Sequence, residues 1–529
     1  MSNDTGKIVL AVLLIISIIW ACSTPFDTSF RNQYTEQNKI LHTDTSSTQF
    51  YKLHLNNGDV AVLETWSNVQ GDSIVGQGRL YDPRRDVKHQ GLLSFHIDDI
   101  AIGETNDYTM FEPNDEIRKE ALGVLIAFNL AINVTCAIRP KACFGSCPTF
   151  YVEGNNNLRS CNAEGFSHAI TPSLQSRDID DLQYSSSGEH FELTIKNEAL
   201  ETHVIDKVEL LAFQKNESEQ VLQSKDAFYL CSDIYELFEA TNTTRDVTQH
   251  LRYIDDDEYF LSTDSTDLFA QDELILAFDA VDGRDKGLVL NFRQSLITTF
   301  LLYNGLSYLG DEVTDYIAKY EHHERYGARI FQPIYEKSQI KVLIWNERKA
   351  KWQGVDEVFE IGPIAKNKIL VPLPDIKNLS QGQIKIKLVM PQGHWRLDYA
   401  AITEIEGEIK PMILQPYDIT FNNRSSQDLR KCILEEGDQK MITIPGDVAV
   451  LSYDLPCYQQ KRDYQLMVAA TGYYLEWMRM EWLQDKDISS FEKMLSLDSE
   501  FWTNLAKEYK EQEEEAEAFF WNSHVKLEL

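Results

Sequence analysis

Gln383–Met390 reads QIKIKLVM, in which Ile384, Ile386 and Leu388 alternate with Lys385, Lys387 and Val389. Successive side chains of a strand point to opposite faces, so this pattern buries one face of a sheet and leaves the other in water. Wound into a helix, the same residues would put lysine on every side, including any side meant for a core. The signature recurs along the chain. FYKLHLNNGDVAVLETW (50–66), GDSIVGQGRLYD (71–82) and GLLSFHIDDIAIGET (91–105) carry it near the start, and SQIKVLIWNERKAKWQGV (338–355), KILVPLPDI (368–376) and HWRLDYAAITEI (394–405) carry it later. Gly, Asn, Asp and Pro turns divide these runs. They predict a mainly β fold with helical segments, an α+β chain of several domains, because 529 residues exceed what one core can serve.

The order of segments suggests the following division. Residues 48–106 form a small barrel of short strands. Glu120–Arg139, EALGVLIAFNLAINVTCAIR, predicts an apolar helix within 107–141. Its Ala121–Ile138 core is 18 residues long, which touches the length needed to span a bilayer. Asn129 and Asn133 would be costly in lipid, so burial against protein is favoured over a membrane span. Pro140 ends it. Residues 142–329 read as a β-rich domain closed by helices over Arg293–Tyr320, and 330–420 as a β-sandwich. In 421–529 a β segment gives way to a helical tail, GYYLEWMRMEWLQDKD and SEFWTNLAKEYKEQEEEAEAFFW, with apolar residues three and four apart. The charged face of that last helix is expected to dock on the chain's own domains, with a partner protein as the alternative.

The N-terminus addresses location. Ile8–Trp20, IVLAVLLIISIIW, is a 13-residue apolar run, with Ser17 its one polar residue, after Lys7; that is the length of a signal-peptide core and short of a bilayer span. Ile19-Trp20-Ala21-Cys22 follows directly, and it resembles the bacterial lipobox. The resemblance implies a signal peptide over 1–21, removal of that peptide, and lipid on Cys22. Several acyl chains on one cysteine suffice for stable anchoring. Ser23 after the cysteine favours the outer membrane in the sorting rule that goes with the resemblance, with the periplasmic face preferred and surface display open. Residues 22–47, rich in Thr, Ser, Asn and Gln, read as a tether. The GDSIVG strand and the closing HIDDIAIGE strand of 48–106 look like the SH3-like barrels of envelope lipoproteins.

An exported compartment is oxidising, and the chain holds eight cysteines. Cys143 and Cys147 stand four apart in KACFGSCPTFY with Gly145 between them. A disulfide is favoured; closing so short a loop stabilises by only about 2 kcal/mol. Free thiols and a redox or metal role stay open. No helix N-terminus is predicted beneath Cys143 to lower its pKa, and the spacing to Cys136 and Cys161 is no recognised zinc pattern. KACFGSCPTFYVEG, with AEGFSHAITPSLQSRDIDDL, IKNEALETH and GYYLEWMRMEWL, resembles a family of uncharacterised Bacteroidetes-type envelope lipoproteins whose signature is CFGSCPTFY. The resemblance runs from about Glu120 to the C-terminus. It supports the anchor and the modular build and implies no catalytic residue.

The net charge of -33 argues against nucleic acid and against adhesion to anionic lipid by charge. There is no H-E-x-x-H, no G-x-S-x-G and no phosphate-cradling glycine loop. Ser167 beside His168 is adjacency, and adjacency is no triad. Asp264, Asp267 and Asp272 lack a calcium-loop spacing and read as acidic turns. No metal or cofactor is implied. Trp352 and Trp395, both within 330–420, are the candidate ligand aromatics, with core packing as the commoner role of tryptophan. The expectation is a membrane-tethered binding, structural or accessory subunit of the cell envelope with protein partners, not an enzyme. A carbohydrate-binding lipoprotein acting through 330–420 is the alternative, and a hydrolase without a recognisable motif is a third.

Overall fold

The structure is a computed structural model. It describes residues 27–110 and 147–523, apart from short internal segments of which 317–333 is the longest. Cys22, Cys143 and the apolar stretch 121–138 lie outside the described residues. The fold is mainly β, with several sheets, one closed barrel and few helices. Among the described residues no helix is long and apolar enough to cross a membrane. The chain divides into two compact units.

The first unit holds six antiparallel strands in the order Asp27–Tyr34, Ile100–Met110, Thr48–Leu55, Val60–Val69, Ser73–Tyr81, Val87–His96. The last four in that order form a meander, each paired antiparallel with the next in sequence. A 3-10 turn at Ile97–Asp99, capped by the His96 side chain accepting from the Asp98 N–H, then returns the chain to the first strand of the meander. A small barrel is expected over 48–106; hydrogen bonding leaves this sheet open, with Asp27–Tyr34 and Val87–His96 at its edges. Tyr51 lies at its centre, fully buried, its hydroxyl donating to Ile40 O at 2.9 Å. A Cβ on Gly103 would meet that hydroxyl at 2.2 Å, so only glycine fits there.

Two expectations change here. Part of the expected tether is a strand: all eight residues of Asp27–Tyr34 pair with Gly103–Met110. An edge strand needs backbone pairing more than apolar side chains, so its polar composition concealed it. For the same reason residues 107–110, placed at the head of the apolar helix, are strand.

The second unit is a sandwich carrying an insertion. One sheet runs in the order Arg424–Ser425, Asp418–Phe421, Val448–Asp454, His190–Lys196, Thr149–Val152, Ala163–Glu164. The other runs Met412–Leu414, Glu201–Lys215, Asp463–Glu476, Ser176–Ser186. Phe150, Leu193, Ile195 and Leu451 of the first meet Val204, Leu210, Val468 and Ala470 of the second in one core. Residues 220–408 leave from the end of Glu201–Lys215 and return just before Met412. They form a closed barrel (Gln220–Ser224, Ala227–Glu236, Trp395–Glu408, Lys286–Gln294, Asn367–Pro372) and a five-stranded sheet (Glu239–Thr241, Gln271–Phe278, Ile384–Pro391, Ile340–Asn346, Lys351–Val358). Leu276, Phe278, Leu290, Phe292, Ile386 and Leu397 are among the residues that knit these two together.

The stretch 330–420 is therefore no separate sandwich. Its strands are shared among the five-stranded sheet, the barrel and the true sandwich, because most of them also pair with strands outside this stretch: Ile384–Pro391 with Gln271–Phe278, Asn367–Pro372 and Trp395–Glu408 with Lys286–Gln294, and Met412–Leu414 with Glu201–Lys215. GYYLE, read as the start of the helical tail, is the end of the strand Asp463–Glu476. Val468 and Ala470 face the sandwich core while Met467 and Ala469 face a second cluster with Leu211, Phe213, Val221 and Phe228. A strand buried on both faces loses its alternation, and a short apolar run then fits either period.

The helices Ile297–Leu309, Ile488–Leu495 and Ser499–Ser523 gather Ile297, Leu301, Met494, Trp502, Leu505 and Tyr509 into their own cluster with Leu268. The last helix docks on the insertion by charge as well. Glu513 and Glu517, one turn apart, are both buried. Glu513 Oε1 accepts from Thr263 N at 2.9 Å, and its other oxygen accepts from the Ser262 hydroxyl. Glu517 Oε1 accepts from Leu296 N at 2.8 Å, and its Oε2 accepts from Arg396 Nε at 3.1 Å. Behind Arg396, the fully buried Arg293 donates twice to Glu258, at 2.8 and 2.6 Å.

Candidate functional site

The hairpin of Ile340–Asn346 and Lys351–Val358 brings together side chains that the sequence keeps apart. Its turn is built locally: the Asn346 side chain accepts from Lys349 N at 3.0 Å, and Ala350 takes a left-handed φ of 45°. Ile340, Val342 and Ile344 point into the core, which leaves Lys341, Leu343 and Trp345 on the outer face. The register pairs Trp345 directly with Trp352. Their rings lie 5.3 Å apart at 64°, an edge-to-face contact on the outer side, and both are half-buried. Lys387, on the neighbouring strand, holds its ammonium 5.0 Å from the centre of the Trp352 ring and 2.6 Å from Glu273 Oε2.

Trp352 and Trp395 thus part company. Trp395 is 2% exposed, donates Nε1–H to Ser338 O at 2.8 Å, and packs edge-on against Phe292 and Phe359. It is a core residue, and no ligand reaches it. The residue that joins Trp352 is Trp345, which was not among the candidates. The signal for it lay in IWNERKAKW: folding that stretch back on its polar turn sets the two tryptophans opposite each other.

Cys147 is a buried free thiol among the described residues; Cys143, its expected partner in a staple, lies outside them. It faces the Ser167 hydroxyl, with Glu201, Glu164 and Asp178 nearby. Burial first, and those carboxylates second, push its pKa well above the ordinary thiol value. A nucleophilic cysteine needs the reverse, a cation or a helix N-terminus beside it. The surrounding acids are occupied. Glu164 Oε2 accepts from Ile364 N and Ala365 N, both at 2.8 Å, and Glu201 meets His203 at 3.1 Å. His168 bonds Ser176 at 2.6 Å, away from any triad with Ser167. Asp178 is pushed up to about 6 by burial, against three backbone N–H groups that favour its charged form.

The three acidic-turn residues do not converge. Asp264 accepts from Thr266 and Asp267 N–H groups, Asp267 from Phe269 N, and Asp272 from the Tyr259 hydroxyl. Among the described residues no group of three or more His, Cys, Asp or Glu is arranged to hold a metal ion.

A cavity of about 150 Å³ opens where the sandwich meets the barrel, lined in part by Asp181, Lys225, Asp356, Lys368 and Met467. Four of its charged groups are already engaged. Lys368 Nζ donates to Gln220 Oε1 at 2.7 Å, Gln465 Nε2 donates to Asp181 at 2.9 Å, and Lys225 meets Asp356 at 2.8 Å. Burial lowers the pKa of Lys368 and raises that of Asp181. The volume falls short of the roughly 300 Å³ at which small-molecule pockets begin.

No family model matches the sequence, and no curated protein matches it. Among solved structures, similarity is found to tripeptidyl peptidase 2, with 10% identity over 96% of this chain and 34% of that one at a TM-score of 0.17. The secreted serine protease VesC from Vibrio cholerae matches at 7% identity over 69% of this chain and 74% of that one, TM-score 0.13. The GH31 alpha-xylosidase from Xanthomonas citri matches at 7% identity over 82% of this chain and 37% of that one, TM-score 0.15. The chain thus spans about a third of the peptidase and of the xylosidase. Scores of this size carry no argument about fold or activity.

Proposed function

We propose that this chain is a lipid-anchored protein of the bacterial cell envelope, held to the outer membrane through Cys22, and that it acts by binding carbohydrate rather than by catalysis. It belongs, on this reading, with the envelope lipoproteins that share CFGSCPTFY. The observation that carries the binding role is the Trp345–Trp352 pair on the outer face of the 340–358 hairpin. Half-buried indoles fixed by a cross-strand contact offer rigid apolar surface of the kind on which the C–H face of a sugar ring stacks. The catalytic alternative lacks such a focus, since the buried acids around Cys147 are spent on backbone amides and on His203.

The test is a glycan array probed with the full chain in detergent, wild type beside Trp352→Ala and Trp345→Ala. Binding to a defined set of glycans that both substitutions abolish is expected. Equal binding by wild type and variants, or no binding to any glycan, rejects the reading. Metabolic labelling with an alkyne fatty acid tests the anchor, and label retained in Cys22→Ser rejects it.

A further inference from the structure

We infer that the ligand of the tryptophan face is an acidic saccharide, a short oligosaccharide containing uronic acid, whose carboxylates are read by the lysines around the indole pair. This rests on the carbohydrate reading and adds the class of sugar. The chain as a whole carries -33, so its general field repels anions. Around the two indoles that balance reverses. Arg348, Lys349 and Lys351 are exposed at the hairpin turn, directly between the tryptophans in sequence. The ladder between these strands ends at Ile344–Ile386; Trp345 and the exposed Lys385 are the next residue on each, both on the outer face. Lys387 reaches over Trp352 itself. Among the described residues, the acids nearest these five cations are Glu273, engaged with Lys387, and Glu347 in the turn, while Glu357 of the same hairpin stands opposite Lys341.

The geometry matches one sugar chemistry better than others. A uronic acid presents an apolar C–H face for stacking and carries its carboxylate at the rim of the ring. Cations at the rim of an indole platform meet such a group, whereas a neutral sugar leaves them unused. A lysine ammonium is a point donor, suited to a carboxylate approached from several angles. The two indoles meet edge to face at 64°, so a sugar ring stacks on one of them at a time, which fits a short stretch of ligand.

The experiment is calorimetric titration of the full chain in detergent with trigalacturonic acid, with galactotriose as its uncharged counterpart and a ten-residue thymidine oligonucleotide as an unrelated anion with stacking bases. Trigalacturonic acid is expected to bind at least tenfold more tightly than either control. Its affinity should fall as salt rises, and it should fall about tenfold in Lys385→Glu and more in Trp352→Ala. Lys385→Gln checks that the loss follows charge, and circular dichroism checks that each variant folds. Equal binding of galactotriose overturns the acidic class and leaves the carbohydrate reading standing. Equal or tighter binding of the oligonucleotide overturns the inference in favour of a general polyanion site. No binding of trigalacturonic acid overturns it as well; a positive glycan array for neutral sugars would then preserve the broader reading, and a blank array would remove both.

Discussion

Replacing Glu517 by alanine tests whether the last helix is held by buried charge. Glu517 is 5% exposed and accepts from Leu296 N, Arg396 Nε and Arg396 Nη2 at 2.8, 3.1 and 2.9 Å. Truncation strands the Leu296 N–H in a buried position, which costs about 1–3 kcal/mol. It also removes the main partner of Arg396, and breaking a buried pair costs about 3–5 kcal/mol. Arg396 keeps its place 3.9 Å over the Phe260 ring and a second carboxylate, Glu258, at 3.8 Å, so the guanidinium is not left alone. These residual contacts bring the expected loss to about 4 kcal/mol, the lower end of the summed ranges. The exposed Glu515, two positions earlier on the same helix, is the control, and its alanine variant should stay within about 0.5 kcal/mol of wild type. Urea unfolding followed by tryptophan fluorescence reads both. A loss below about 1 kcal/mol for Glu517→Ala, or one no larger than for Glu515→Ala, would refute the assignment of docking energy to this carboxylate.

Three further outcomes are expected. His394 is buried, and burial depresses its pKa to about 4 although it bonds Leu268 O at 2.9 Å. An unfolded histidine titrates near 6.5, so the unfolded chain takes up a proton first as pH falls; stability present above about 6.5 is lost between there and about 4, on the order of 3 kcal/mol, and His394→Gln should flatten that slope in urea titrations run across this range. Trp395→Ala empties a core position and should cost about 3–5 kcal/mol, whereas Trp352→Ala should cost about 1 kcal/mol; equal losses in urea unfolding would contradict their different placement. The Cys147 thiol should resist iodoacetamide in the folded chain at pH 8 and react readily in urea, as read by peptide mass spectrometry, and rapid labelling of the native protein would contradict its burial and raised pKa.

Local structure was largely legible. QIKIKLVM alternates because one face of Ile384–Pro391 is core and the other is not, and the strand is where that pattern puts it. Ser499–Ser523 is helical as its apolar spacing requires. The site was half legible. Trp352 stood out as a tryptophan of the stretch 330–420, but its partner Trp345 and the nearby Lys387 come beside it only through strand pairing.

The sequence by itself determined the strands, the turns and the amphipathic faces, because these follow from side-chain periods of two and of 3.6 within a few residues. Tertiary structure alone decided which strands share a sheet. The sandwich closes between Glu201–Lys215 and Asp463–Glu476 across an insertion of nearly two hundred residues, so no local signal marks its edges. It also decided the meaning of the acidic helix. In KEQEEEAEAFF the charged face is expected to dock, but nothing in the run singles out which glutamates do; Glu513 and Glu517 are buried because Thr263, Leu296 and Arg396, more than a hundred residues earlier, supply the donors that a buried carboxylate needs.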